Sequence, residues 1–239
     1  MLGKRYQYIA IGGLLAACVG AYGLWMQRTA AVAAYNPVVN PSDFVSQVDN
    51  KYFTLKPGTT FTYQNKSGTE RIEITVTNEK RKVMGVETTV VRAKEWKNGA
   101  LFEETYDWYA QDKAGNVWYF GEAVDFYRNG KVVNHKGSWE AGVRGAKPGI
   151  VMKKEPKVGD QYRQEYFKGV AEDMGTVVAT NKKVTVPFGT FENCVQIKDS
   201  SFLDITAEHK YYCPDVGFLA LEEMIGRPAE AALVSVTRQ

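Results

Sequence analysis

Residues 104–122 read ETYDWYAQDKAGNVWYFGE. Polar and aromatic residues alternate through Phe102–Ala110, and successive side chains of an extended chain point to opposite faces. Phe102, Glu104, Tyr106, Trp108 and Ala110 therefore share one face, and Glu103, Thr105, Asp107 and Tyr109 the other. Asp112-Lys-Ala-Gly115-Asn116 supplies a turn, and Val117–Gly121 returns. The stretch is a β-hairpin. Its more aromatic face is expected to meet the core, with Trp118 and Phe120 joining it, and its acidic face to be solvated.

The same hairpin occurs again. ETYDWYAQDKAGNVWYF (104–120) parallels AEHKYYCPDVGFLAL (207–221) when Gly115 is set against Gly217. PGTTFTYQ (57–64) parallels VGDQYRQE (158–165), and RKVMGVETTVV (81–91) parallels KKVTVPFGTFENCV (182–195). Three blocks recur in one order about a hundred residues apart, which implies an internal duplication. The expected fold is all-β, with antiparallel sheets of five or so strands from each copy, arranged as half-barrels or sandwich-like layers.

Other strands follow from the same signals. RIEITVT (71–77) alternates without a break, Val86–Trp96 is β-rich, and Asn98-Gly99 and Asn129-Gly130 make tight turns. The expected organisation is a transmembrane anchor or signal segment over 1–28, a spacer over 29–50, a first repeat over 51–136, a crossover loop over 137–157 and a second repeat over 158–239. In the spacer, Ser42 or Asp43 is expected to cap a short helical turn through Gln47. The crossover is rich in Gly, Pro and Lys, as a loop would be.

The pattern Y-x-W-Y-A-Q-D-x-x-G-N-V-W-Y at Tyr106–Tyr119 and the run GSWEAGVRGAKPGIVM (137–152) resemble a bacterial family of exported, membrane- or lipid-anchored β-rich domains with no established function. The likeness covers roughly residues 52–225. It implies a β architecture and an extracytoplasmic address, and it carries over no catalytic residue.

The first residues point the same way. Lys4 and Arg5 precede YIAIGGLLAACVGAYGLWM (8–26), a run long enough to span a bilayer. Positive charge before it favours an inside N-terminus, with the remainder in the periplasm or outside the cell. Three readings stand: a retained anchor, a signal peptide cleaved near TAAVAA (29–34), or a lipoprotein lipidated at Cys18 within Leu15-Ala16-Ala17-Cys18. Each exports residues 29–239. Of three cysteines, Cys194 and Cys213 lie in that part, and an even pair outside the cytoplasm implies a disulfide. A hairpin with its midpoint between Leu203 and Asp204 sets those two opposite each other.

Candidate chemistry is sparse. His135 and His209 are the two histidines, without HxH, HExxH or CxxC spacing, so no metal or cofactor is expected. No G-x-S-x-G elbow is present. Glu103 and Asp107 share a strand face at i and i+4, roughly 13 Å apart, which is too far for a glycosidase pair on one strand. A net charge of +3, from 30 basic and 27 acidic residues, gives no basic face for nucleic acid. Asp107, Tyr109, Trp118, Lys147, Lys153 and Lys154 are the candidates for a partner or ligand surface. The expected function is a non-catalytic accessory or interaction subunit of a bacterial envelope complex, tied to the membrane through residues 8–26 and bound to a protein partner. A carrier of lipid or another hydrophobic ligand is the alternative, and a carboxylate-based hydrolase the third reading.

Overall fold

The computed structural model describes residues 35–203, 206–226 and 229–238. The apolar run 8–26, Cys18 and the first residues of the spacer lie outside them. The described chain is all-β, apart from one 3-10 turn at Pro41–Asp43. That turn is shorter than the Ser42–Gln47 expectation. Asn40 is its N-cap, its side chain accepting from the Ser42 amide at 3.3 Å, and the chain then extends to pair Phe44–Val45 with Gln111 and Asp112.

The first half supplies six strands to the main path of a sixteen-stranded sheet: β1 (Thr59–Gln64), β2 (Glu70–Val83), β3 (Val86–Lys97), β4 (Ala100–Asp112), β5 (Val117–Arg128) and β6 (Lys147–Met152). The second half begins with β7 (Gln161–Arg163) and β8 (Glu165–Tyr166). It continues through β9 (Asp173–Val186), β10 (Gly189–Ser201), β11 (Ala207–Cys213), β12 (Phe218–Met224) and β13 (Ala229–Arg238). The order across the sheet is β7-β9-β10-β11-β12-β13-β1-β2-β3-β4-β5-β6-β8. Both halves therefore join one nearly closed antiparallel sheet rather than forming two separate ones. The crossover expected over 137–157 contains β6 and a short strand, Trp139–Glu140, that pairs with β5. Its Gly and Pro content suggested a loop, but Ile150–Met152 offers β5 a β-rich edge.

The outermost strands of this order, β7 and β8, are consecutive in the chain with only Gln164 between them. β7 pairs with β9, and β8 pairs with β6. One short segment therefore bridges both edges, and a closed sheet leaves few unpaired amides and carbonyls to water. The bridge needs close approach. A Cβ on Gly149 would lie 2.4 Å from the Arg163 carbonyl oxygen and 2.6 Å from that of Gln164.

The halves also agree in detail. Gly58, at φ 81°, donates to the Val76 carbonyl at 2.9 Å; Gly159, at φ 92°, donates to that of Val177 at 2.9 Å. The register then slips just after Val76 in β2 and just after Val177 in β9. The hairpin β4–β5 carries a bulge between Trp108 and Tyr109, and β11–β12 carries one between Tyr211 and Tyr212. A bulge bends its strand and adds local twist, which helps to curl each half.

One end of the sheet is closed by residues 48–55. Val48, Tyr52, Phe53 and Leu55 are buried there. The Phe53 ring meets Tyr109, Tyr212 and Phe218 at 5.1, 6.0 and 4.7 Å, so it joins both halves. Burying such a ring contributes about 1.5–3 kcal/mol. The Thr54 amide donates to the Gly217 carbonyl at 2.6 Å, and Asn50 Nδ2 to that of Gly115 at 2.9 Å, tying the segment to the turns of both repeated hairpins.

Gly149→Ala is expected to lower stability by about 3 kcal/mol, because the backbone at Arg163–Gln164 must retreat. Gly99→Ala, at φ 79° with nothing within 4 Å of its Cβ, is expected to lose only the roughly 1–2 kcal/mol of a left-handed side chain. Urea denaturation of the two variants measures the difference.

Candidate polar interior

Strand β4 puts the two faces of the opening hairpin in places the alternation alone did not assign. Thr105, Asp107 and Tyr109 are almost completely buried and point into the barrel. Tyr109 stacks on Tyr119 at 4.9 Å and meets Phe53 from the closing segment. The expected solvated face is therefore the interior one. The face expected to be core is the outer one, and it is core only in part: Trp108, Ala110 and Phe120 are buried there, while Glu104 accepts from Arg92 Nε at 2.6 Å and from the Tyr106 and Tyr127 hydroxyls at 3.2 and 3.1 Å. Phe120 and Trp118 on that side are covered by Phe44, at 5.4 and 6.0 Å.

The interior is polar as well as aromatic. In β11 the alternation aims Glu208, Lys210 and Tyr212 inward. Lys210 is 4% exposed, with its Nζ 2.7 Å from Asp199 Oδ2 and 2.9 Å from Glu208 Oε1, and Glu222 stands opposite in the next strand. Gln164, the bridging residue, donates from Nε2 to Asp199 Oδ1 at 2.9 Å. Gly175, opposite both Tyr162 and Asp199, makes the room: a Cβ there would lie 2.9 Å from Gln164 Nε2 and 2.9 Å from the Tyr162 ring. In the first half, Asp107 accepts from the Tyr119 hydroxyl at 2.5 Å and lies opposite Glu122. The corresponding hairpin positions, one residue before each bulge pair, thus carry Asp107 in the first half and Lys210 in the second.

Burial sets the proton affinities of these groups. It pushes the Asp199 carboxyl up to about 6 even though the Lys210 ammonium partly offsets it. Glu103 is pushed up to about 7, by burial first and by Glu95 opposite it in β3, while the Thr105 hydroxyl at 3.0 Å and Lys97 work against the rise. Asp107 is also raised by burial. Burial opposes the charge on Lys210, but Asp199, Glu208 and Glu222 outweigh it and hold the ammonium well above its ordinary value. Lys210 is therefore a fixed cation near neutral pH, unsuited to act as a nucleophile or base. Asp199 and Glu103 can exchange protons there, each already engaged by neighbours of the fold.

The residues singled out from sequence do not converge. Asp107 and Tyr109 are almost completely buried and face the interior rather than the outer surface. Trp118 is half-buried outside, its indole N–H donating to Asp112 Oδ2 at 2.8 Å. Lys147 Nζ donates to the Tyr35 carbonyl, Lys153 pairs with Asp160 at 2.9 Å, and the Lys154 amide donates to Asn116 Oδ1 at 3.2 Å. His135 lies 2.7 Å from Asp125 on the surface, while His209 is part-buried beside Tyr211. Among the described residues no three His, Cys, Asp or Glu side chains gather as a metal site requires. Lys210, Asp199, Gln164 and Tyr162 escaped the sequence reading. The one available signal was a lysine in the same alternation as Tyr212, within a strand that has to bury one face.

Between the ordinary carboxylate range and about 6–7, folded Glu103 and Asp199 keep protons that the unfolded chain gives up. Stability is therefore expected to rise as pH falls from 8 to 5, by about 1.4 kcal/mol per pH unit for each titrating group. His209, lowered by burial, acts in the opposite direction below about pH 6.5. Urea midpoints across this range for the parent and Glu103→Gln isolate the Glu103 share, since the variant should lose the slope near pH 7 and keep the rest. An identical slope in both proteins would remove Glu103 from the account.

No protein-family model matches the chain, and no curated protein or solved structure among those compared matches it.

Proposed function

We propose that this protein is an exported β-barrel domain, held at the bacterial membrane through residues 8–26, that serves as a non-catalytic interaction subunit of an envelope complex. The observation that supports it best is the Cys194–Cys213 disulfide. It joins neighbouring strands β10 and β11, with Cα atoms 4.2 Å apart and both cysteines fully buried. Disulfides persist in oxidising compartments, in keeping with the charge and hydropathy of residues 4–26. Among the described residues no helix is long and apolar enough to cross a membrane, so the tether is assigned to the apolar run ahead of them. We read the two halves as copies of one duplicated unit, because Gly58 and Gly159 make equivalent bonds at equivalent bulges.

A non-catalytic role is favoured because the interior acids and Lys210 bind one another and Gln164 across the closure, where they hold the sheet together. A ligand-carrying role is the second reading, with the ligand polar rather than hydrophobic. The interior wall carries Asp107, Glu122, Asp199, Lys210 and Glu222, which an apolar ligand would desolvate at high cost. The Tyr162 hydroxyl and Gln164 Oε1 are buried beside Asp199 without a hydrogen bond among the described residues, and a small polar molecule would satisfy both.

Purification from native membranes in mild detergent is expected to bring a protein partner in fixed ratio. A solitary chain at every detergent strength would count against the interaction reading, and native mass spectrometry of the same sample would show a polar ligand if the second reading holds. Thiol labelling of the unreduced, denatured protein is expected to modify Cys18 alone. The double variant Cys194→Ala/Cys213→Ala is expected to lose about 3 kcal/mol in urea, as opening a loop of this length does.

A further inference from the structure

The β10–β11 turn leaves Phe202 70% and Leu203 41% exposed, and Ile225, in the neighbouring β12–β13 turn, 48% exposed. These turns adjoin, since the Ile225 amide donates to the Ala207 carbonyl at 3.1 Å. Large apolar side chains at the tips of two adjacent hairpins are an uncommon use of solvent-facing turns, which favour Gly, Asn and Asp.

Their surroundings are aromatic and cationic. The Arg163 guanidinium carbon lies 5.3 Å from the Phe202 ring, 4.8 Å from Tyr166 and 5.8 Å from Tyr35. Lys147 also stands over Tyr166, at 5.8 Å, and bonds the Tyr35 carbonyl. Acids are present as well: the Glu172 carbonyl accepts from the Phe202 amide and its carboxylate from the Gly169 amide, Asp173 lies opposite Ser201, and Glu208 and Glu223 stand in the strands that lead to the two turns. Aromatic rings interleaved with Arg and Lys around exposed aliphatic tips have the composition of protein surfaces that sit at the level of lipid headgroups.

Chain length limits how far that surface can stand from the membrane. The apolar run ends at Met26 and the described chain resumes at Tyr35, nine residues on. Nine residues reach at most about 32 Å. Tyr35 therefore stands within about 32 Å of the bilayer whenever residues 8–26 lie in it, and Tyr35 and Phe202 share the Arg163 guanidinium. We infer that the Phe202–Leu203 and Ile225 turns form a membrane-contacting rim, which seats this end of the barrel on the lipid headgroups and turns the Asp112–Asn116 and Cys213–Gly217 end away. The inference rests on the proposed tether. The occupant is the lipid surface, because the tether presents that surface first.

The test uses the full chain with Cys18→Ser, reconstituted in vesicles of phosphatidylethanolamine with a minority of phosphatidylglycerol. A nitroxide is attached at Phe202→Cys, or at Lys113→Cys on the opposite end as reference; both positions are exposed, so neither change disturbs the core. The ratio of oxygen to nickel-chelate collisions is expected to be severalfold higher at 202 than at 113. Equal, water-like ratios in a protein that stays with carbonate-washed vesicles would overturn the rim and leave the tether standing. A label at 202 shielded from both oxygen and nickel would overturn it in favour of a protein contact. Loss of the protein from the washed vesicles would overturn the tether and the rim together.

Discussion

The short segment Arg163–Gln164–Glu165 is the constraint on which the rest of this molecule depends. It belongs to two strand pairings at once, β7 with β9 and β8 with β6, so a single residue converts a long meander into a nearly closed sheet. Without that bridge, β6 and β9 would both offer edges to solvent or to other chains. Two glycines permit it from opposite sides. Gly149 lets the backbones meet, and Gly175 leaves space for the Gln164 and Tyr162 side chains. Gln164 then carries the closure inward through its bond to Asp199, and Asp199 continues it to Lys210.

A sheet of this many strands encloses more volume than the small barrels that side chains alone can fill. Here that volume is lined by tyrosines and by charges that neutralise one another, with Phe53 and its neighbours closing one end. Removing a buried ammonium or carboxylate from such a network leaves its partners desolvated, which costs more than the pair itself contributes. The network therefore acts chiefly to fix which strands face which. The contrast between Asp107 and Lys210 at corresponding positions gives the two halves complementary rather than identical interiors.

Much of the β architecture was legible in the chain. Alternation in RIEITVT and in residues 102–110, and the Asn98-Gly99 and Asn129-Gly130 turns, located strands and hairpins, because side-chain period and positive φ are local properties. The Cys194–Cys213 bond followed from hairpin arithmetic. The faces of β4 did not. Alternation separates two faces but does not say which one is interior when segments 35–45 and 137–146 also cover the outside. β6 was read as loop because its Gly and Pro content concealed an edge that exists only once β5 and β8 stand on either side of it.

The sequence by itself determined most of the strands, their hairpin partners, the disulfide and the apolar run ahead of the barrel, all of which depend on residues near one another in the chain. Only the tertiary structure decided that both halves share one sheet, that Asp107 and Tyr109 look inward, that Gln164 reaches Asp199, and that Phe202 and Tyr35 share the Arg163 guanidinium. Each of these depends on contacts between segments tens to more than a hundred residues apart. No local period encodes such contacts; they exist only after Gln164 has brought the two edges together.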